Sequence, residues 1–241
     1  MSKARSNTVT IYLAALLCLI AAGLYLFSKS DFFSVKEVKI NGSEKITHDE
    51  VLQLLGTVKG ENIFLTDKKA LAMKIELHPL VDNATVTKKL PATIIVQIQE
   101  RLPAALILNG EGVVEVDSQA VILKFYDSWP TTDTPVLTGI AVPETIGPGQ
   151  KINDANLTKA LQLLGQAPKD LLPLIGELHY ISDGQFNIYL SSGTEVKLGF
   201  DDDYTEKLTL LKKLLDSKDY DSVQNKIKYI DLTSGKPVLG R

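Results

Sequence analysis

The run from Val9 to Phe27, VTIYLAALLCLIAAGLYLF, carries no charge. At about 1.5 Å per helical residue, a run of this length fits the roughly 30 Å hydrocarbon thickness of a bilayer with little to spare. Lys3 and Arg5 precede it, and no acidic residue occurs before Asp31. Basic residues on the N-terminal flank predict an N-in, C-out orientation, against which Lys29 on the far side weighs slightly. Two other readings start from the same run. Ala21-Ala22-Gly23 offers small residues for signal cleavage, but Leu24-Tyr25-Leu26-Phe27 carry the run beyond the roughly 7–15 residues of a signal h-region. Lipoprotein processing at Cys18 is disfavoured by the bulky Leu17 before it. An uncleaved transmembrane anchor bounded by Val9 and Phe27 is therefore expected. Its small residues Ala14, Ala15, Ala21, Ala22 and Gly23 form no G-x-x-x-G, which favours a lipid-facing helix over a helix-pairing one.

The remainder of the 241 residues suffices for one large or two modest domains. The whole chain, with 23% charged and 44% hydrophobic residues, has the composition of an ordinary globular protein. Lys3 and Arg5 are two of 26 basic residues, which leaves 24 against 29 acidic ones beyond the span, a balance of −5. That balance argues against nucleic acid and against broad adhesion to anionic lipid. Cys18 is the only cysteine and lies in the span, so the outer part stands on its cores without disulfides.

Residues 28–34 read as a juxtamembrane link, with Phe32 and Phe33 at the interface or at the start of the first domain. Val35–Ile40 reads as a strand closed by Asn41-Gly42. Thr47-His48-Asp49-Glu50 is a T-x-x-E capping box opening a helix that Gly56 ends. A second helix starts at Thr66 or Asp67, buries a stripe through Leu71 and Ile75, and stops at Pro79. Val81–Lys89 and Thr93–Glu100 alternate as strands across Leu90-Pro91-Ala92. Strand–helix–helix–strand–strand in one short stretch makes a small α+β unit.

Beyond Arg101-Leu102-Pro103 the pattern is mostly β. Strands are expected at Ala104–Leu108, Gly112–Val116, Val121–Phe125, Leu174–Ile181, Phe186–Leu190 and Thr194–Leu198. Asn109-Gly110, Asp117-Ser118, Asp183-Gly184 and Ser192-Gly193 mark turns. Trp129 to Gly149 reads as a long connection. Helices are expected over Asn156–Leu164 and Asp203–Asp216, the latter with Tyr204, Leu208, Leu211 and Leu215 on one face and Asp201, Asp202 and Asp203 as its cap. A last strand covers Lys226–Thr233, followed by a mobile tail from Ser234. No internal repeat is present.

The residues offer no catalytic constellation. His48 lies in the capping box, His78 precedes a proline and reads as turn support, and His179 reads as a cross-strand partner. There is no G-x-S-x-G, S-x-x-K, H-E-x-x-H or Walker-A loop. Asp201-Asp202-Asp203 lacks the oxygen-ligand spacing of an EF-hand and reads as a helix cap rather than a metal site. Neither catalytic residues, metal nor cofactor are expected.

Four blocks, in order, resemble the FtsQ/DivIB family of bacterial cell-division proteins along nearly the whole chain. The first is a basic tail and one span, followed by Phe32-Phe33-Ser34-Val35 and a strand ending Ile40-Asn41-Gly42. The second is His78-Pro79-Leu80-Val81, Ala84-Thr85-Val86, Lys88-Lys89-Leu90-Pro91, Ile94 to Ile98 and Glu100-Arg101-Leu102-Pro103-Ala104. The third is Gly112-Val113-Val114-Glu115-Val116-Asp117 with Pro135-Val136-Leu137-Thr138-Gly139. The fourth is Leu198-Gly199, an amphipathic helix and Ile230-Asp231-Leu232.

The resemblance implies an α+β chain with an N-terminal transmembrane helix, a β-α-α-β-β POTRA domain, and a mostly antiparallel β domain with flanking helices. The implied boundaries are a cytoplasmic tail 1–8, a span 9–27, a link 28–34, POTRA 35–101, a β domain 102–233 and a tail 234–241. It implies a non-enzymatic divisome scaffold in the bacterial cytoplasmic membrane at the septum, linking early and late division proteins. The β domain of this family holds an FtsB/DivIC partner that comes with FtsL, and indirectly serves the FtsW/FtsI wall synthase. Ile227, Tyr229 and Asp231 share one face of the last strand, and Lys228, Ile230 and Leu232 the other. If that strand ends at a sheet edge, its unpaired backbone groups are open to a partner strand. The expected surface is Lys228, Tyr229, Ile230, Asp231 and Leu232, backed by Tyr204, Leu208 and Leu211. The alternative is a POTRA-containing envelope or secretion docking protein. It fits less well, because the residues after Phe200 read as a helix and one strand, not a barrel.

Overall fold

The computed structural model describes residues 3–109, 112–143, 145–200 and 203–240. The apolar run lies in helix α1 (Lys3–Ser28), which begins before the expected span and takes in most of the expected tail. Residues 1–2 of that tail lie outside the described residues. Thr10–Ser28 is long and apolar enough to cross a membrane, and none of it is buried against the rest of the protein. Its 19 residues span about 29 Å at about 1.5 Å each. The chain divides into two units, Met1–Glu100 and Arg101–Arg241.

After α1, the first unit contains a 3₁₀ turn (Asp31–Phe33), β1 (Glu37–Asn41), α2 (His48–Leu55), α3 (Lys68–Glu76), β2 (Val81–Lys89) and β3 (Thr93–Glu100). The order of the sheet is β1-β3-β2, with β1 parallel and β2 antiparallel to β3. The capping box forms as the sequence spacing requires. Glu50 N–H donates to Thr47 Oγ1 at 3.3 Å, and Thr47 N–H to Glu50 Oε2 at 2.8 Å. The Thr47 hydroxyl draws the Glu50 carboxyl below the usual carboxylate range. Asp67 caps α3, accepting from Lys69 N at 2.9 Å. Val51 and Leu55 of α2 and Leu71 and Ile75 of α3 close over Val38, Ala84, Val86, Ile94, Val96 and Ile98 of the sheet. At the end of β3, the Glu100 carboxylate accepts the backbone N–H groups of Glu44, Lys45 and Ile46 at 2.8, 2.9 and 3.0 Å. One side chain thus satisfies three consecutive loop amides.

The second unit holds β4 (Pro103–Asn109), β5 (Gly112–Asp117), β6 (Ile122–Tyr126), β7 (Val136–Thr138), α4 (Ala155–Gln166), β8 (Ile175–Tyr180), β9 (Phe186–Leu190), β10 (Glu195–Gly199), α5 (Thr205–Leu215), a short α6 (Lys218–Asp221), β11 (Tyr229–Asp231) and β12 (Val238–Gly240). Among the described residues the strands form one sheet in the order β12-β11-β10-β9-β8-β7-β4-β5-β6. Pairing is mostly antiparallel, with β7 parallel to both β4 and β8, and β11 parallel to β10. Helices α4 and α5 share one buried cluster with Ile107, Val114, Leu137, Leu178, Ile188, Val196, Leu198 and Ile230 of the strands. The unit opens with Arg101, whose Nη1 lies 2.6 Å from Asp117 Oδ2 with both side chains largely buried.

Several elements differ from expectation. The connection from Trp129 to Gly149 contains β7, an inner strand that joins β4-β5-β6 to the strands from β8 onward. Three residues between Pro135 and Gly139 are too few to show an alternation. The strand expected over Lys226–Thr233 covers only Tyr229–Asp231, and Gln224–Lys226 before it turns as 3₁₀ helix. The tail is not simply mobile, since Val238–Gly240 returns as β12. The cap of α5 is Tyr204, which makes no side-chain cap bond, while Asp203 Oδ1 accepts Thr205 N–H at 2.9 Å. Asp201 and Asp202, and Gly110 of the expected Asn109-Gly110 turn, lie outside the described residues.

Candidate partner-binding edge

Strand β11 begins where buried Ile227 leaves the 3₁₀ turn, and pairs in register with β10: Glu195 with Tyr229, Val196 with Ile230, Lys197 with Asp231. The alternation then decides each residue's role. Ile230 and Leu232 point to the helical side and are fully buried. Tyr204, Leu208 and Leu211 of the α5 region are buried in the same cluster. These five expected contact residues therefore form the support of the edge, not its surface. Lys228 is exposed, while Tyr229 and Asp231 stand half-exposed on the face away from the helices.

The expectation of β11 as the free edge is corrected by β12. Asp231 Oδ1 accepts Thr233 N–H at 2.9 Å and Thr233 Oγ1–H at 2.6 Å. The Thr233 hydroxyl bond holds the Asp231 carboxyl below its ordinary range. The chain turns there, and β12 returns antiparallel: Tyr229 opposite Gly240, Ile230 opposite Leu239, Asp231 opposite Val238. Lys228 N–H donates to the Gly240 carbonyl at 2.9 Å. A Cβ on Gly240 would lie 2.0 Å from the Tyr229 ring, so a side chain there would force the ring or the strand to move. The Lys197 ammonium lies over that ring, 4.6 Å from its centroid.

Strand β12 thus forms one edge of the sheet among the described residues, and β6 the other. Val238 and Leu239 are exposed on β12. A groove of about 920 Å³ runs beside this end, between Thr205, Thr209 and Lys213 on α5, Phe200, and Thr233 and Gly235 in the β11–β12 turn. The far side of α5 is tied down by Lys212, whose Nζ bonds Asp216 and lies 3.1 Å from Asp170. Those bonds, to Asp216 first, raise the Lys212 ammonium above its ordinary range.

The histidines take structural positions. The first residue of α2 is His48, which is exposed. His78 Nδ1 accepts Leu80 N–H at 3.2 Å in the turn before β2. Across the β7–β8 pair, Thr138 Oγ1 lies 2.6 Å from His179 Nδ1 and also bonds Glu177. This polar ladder fastens the short central strand. Sequence reasoning missed Gly240 and β12; the trace was Ser234-Gly235 followed closely by Val238-Leu239, a weak hairpin signal.

Two family models match the chain: "POTRA domain, FtsQ-type" over residues 33–101 and "Cell division protein FtsQ/DivIB, C-terminal" over residues 105–233. Strand β12 lies beyond the second match. The chain is similar to the cell division protein FtsQ of Anaeromyxobacter sp. (strain K), 31% identical over 206 residues, covering 84% of this chain and 69% of that one. It is 28% identical over 197 residues to the FtsQ of Syntrophotalea carbinolica, covering 80% and 68% respectively. Among solved structures it matches the major extracytoplasmic domain of DivIB from Geobacillus stearothermophilus, at 16% identity and a TM-score of 0.33, over 53% of this chain and 97% of that one.

Proposed function

We propose a role that proceeds from one premise: the chain belongs to the FtsQ/DivIB family of bacterial cell-division proteins. It serves as a non-enzymatic scaffold of the divisome, anchored in the cytoplasmic membrane by α1 with its N-terminus inside. Lys3 and Arg5 before the span support that orientation. In this reading the chain runs as a cytoplasmic tail 1–8, a span 9–27, a link 28–34, a POTRA domain 35–101 and a β domain 102–233. The β domain holds an FtsB/DivIC-class partner, which brings FtsL and indirectly the FtsW/FtsI synthase.

The observation that carries this reading is the end of the large sheet. A three-residue strand with exposed side chains forms its edge, and the groove along α5 lies beside it. An edge strand offers main-chain hydrogen bonds to an added strand, and a neighbouring groove offers side-chain contacts. Binding and anchoring of this kind require no reactive group.

The test is depletion of the protein in its host, with a tagged copy to report position. Filaments with segregated nucleoids, rescued by a copy that gathers at midcell, are expected. Normal division with a secretion or envelope defect would overturn the division role and favour a docking protein of the secretion type.

A further inference from the structure

Three connections of the first unit lie side by side where α1 ends. The carbonyl of Ser28, last residue of the helix, accepts Asn62 Nδ2–H at 2.7 Å. The Phe33 carbonyl accepts Ile63 N–H at 2.8 Å, and Val35 N–H donates to the Glu61 carbonyl at 2.8 Å. The β2–β3 turn joins them: Lys36 N–H donates to the Ala92 carbonyl at 2.8 Å, and Lys88 Nζ to the Phe64 carbonyl at 3.2 Å. Segments 28–36, 59–65 and 88–92 therefore form one rim tied to the helix end. From Lys89 to Val81, strand β2 runs about 26 Å away from it at roughly 3.3 Å per residue.

Four large apolar side chains are exposed on this rim. Phe32 is 52% exposed, Phe64 48%, Leu65 78% and Leu90 56%. The rings of Phe27, Phe32, Phe33 and Phe64 touch in sequence, so the cluster runs unbroken from the helix to the loop. The same segments carry Lys29, Lys36, Lys59, Lys88 and Lys89 against two acids, Asp31 and Glu61, with Glu37 just beyond the first segment. A contiguous apolar patch on segments rich in cations suits lipid better than water. Aromatic and aliphatic groups sit at the acyl boundary, while lysine stems reach back to phosphates.

We propose that this rim is seated in the headgroup region of the outer leaflet, so that the first unit contacts phospholipid through Phe32, Phe64, Leu65 and Leu90. The occupant is set by continuity, because the patch is hydrogen-bonded to the last residue of the apolar helix. The proposal rests on the reading of α1 as a span.

The test uses the full chain in vesicles of phosphatidylethanolamine and phosphatidylglycerol carrying brominated acyl chains. Trp129→Phe removes the native tryptophan. Single tryptophans are then placed by Leu65→Trp, Phe64→Trp, Leu77→Trp at the exposed far end, and Leu24→Trp inside the span. Quenching at positions 65 and 64, with position 77 unaffected, is expected alongside strong quenching at 24. Quenching at 24 with 64 and 65 no more affected than 77 overturns the rim and leaves the span standing. No quenching at 24 overturns the span, and the rim with it.

Discussion

The ring of Tyr229 fills the space that a side chain on Gly240 would need, and the two residues face each other across the last strand pair. This contact ties the edge strand to the sheet. Gly240→Val should expel either the ring or the strand. The Lys228 amide, bonded to the Gly240 carbonyl, should then exchange with solvent much faster, with the remainder of the sheet still protected. Unchanged protection at Lys228 would show that the ring contact does not hold β12.

Asp231 makes the turn between the same strands. Its carboxyl is held below the ordinary value of 3.8, first by the Thr233 hydroxyl and then by the Thr233 amide. A depressed carboxyl contributes stability that is fully present above its unfolded pKa and lost as pH falls through the folded value. The turn should therefore hold at neutral pH and loosen only in acid below that ordinary value. The Thr233 amide resonance should follow this titration, and Asp231→Asn should abolish it. A Thr233 amide indifferent to acid would contradict the assignment.

The buried pair of Arg101 and Asp117 fixes the start of the second unit. Asp117 Oδ1 also accepts the amides of Gln119 and Val121, both at 2.8 Å, so one carboxylate closes the β5–β6 turn and neutralises the guanidinium. Asp117→Ala removes the carboxylate from beside the guanidinium and from the two turn amides, at a cost of about 3 kcal/mol, the low end for breaking a buried pair. The second unit's melting temperature should fall by roughly 10 °C. Arg101→Lys, which keeps the charge, should fall less. A melt within a degree or two of wild type for Asp117→Ala would refute the pair's role.

Glu100 acts in the first unit as Asp117 does in the second. Glu100→Ala leaves three loop amides without their acceptor, which should destabilise that unit by about 1–3 kcal/mol. Faster exchange at Lys45 and Ile46 should mark the site. Exchange at wild-type rates would mean that water replaces the carboxylate freely.

Much of this was legible in the residues. The Thr47/Glu50 box, a helix start at Thr66 or Asp67 and the alternation of β2 and β3 leave local patterns, and the bonds of Asp67 then pick it as the cap. Glu100-Arg101 was legible only as a resemblance. Its physical content, one charge turned to a loop and the other to a buried carboxylate, depends on residues far away in sequence. Strand β7 left no pattern because its three residues are held by β4 and β8 rather than by their own propensity. The residues proposed for partner contact divide by burial. The stripe of Tyr204, Leu208 and Leu211 is the face that α5 buries against its own sheet, so these residues are already occupied. The alternation along β11 separated Tyr229 and Asp231 from Ile230 and Leu232 correctly. It said nothing of a tail returning to pair with it.

The central claim is that this end of the sheet holds the FtsB/DivIC-class partner. It is tested most directly by a photocrosslinking residue placed in the full-length chain in dividing host cells, at Lys228, at Val238, or at Phe125 on the opposite edge strand β6. The account predicts adducts with that partner from positions 228 and 238 and none from 125. Adducts from 125, or none from 228 and 238 in a chain that still gathers at midcell, would contradict it.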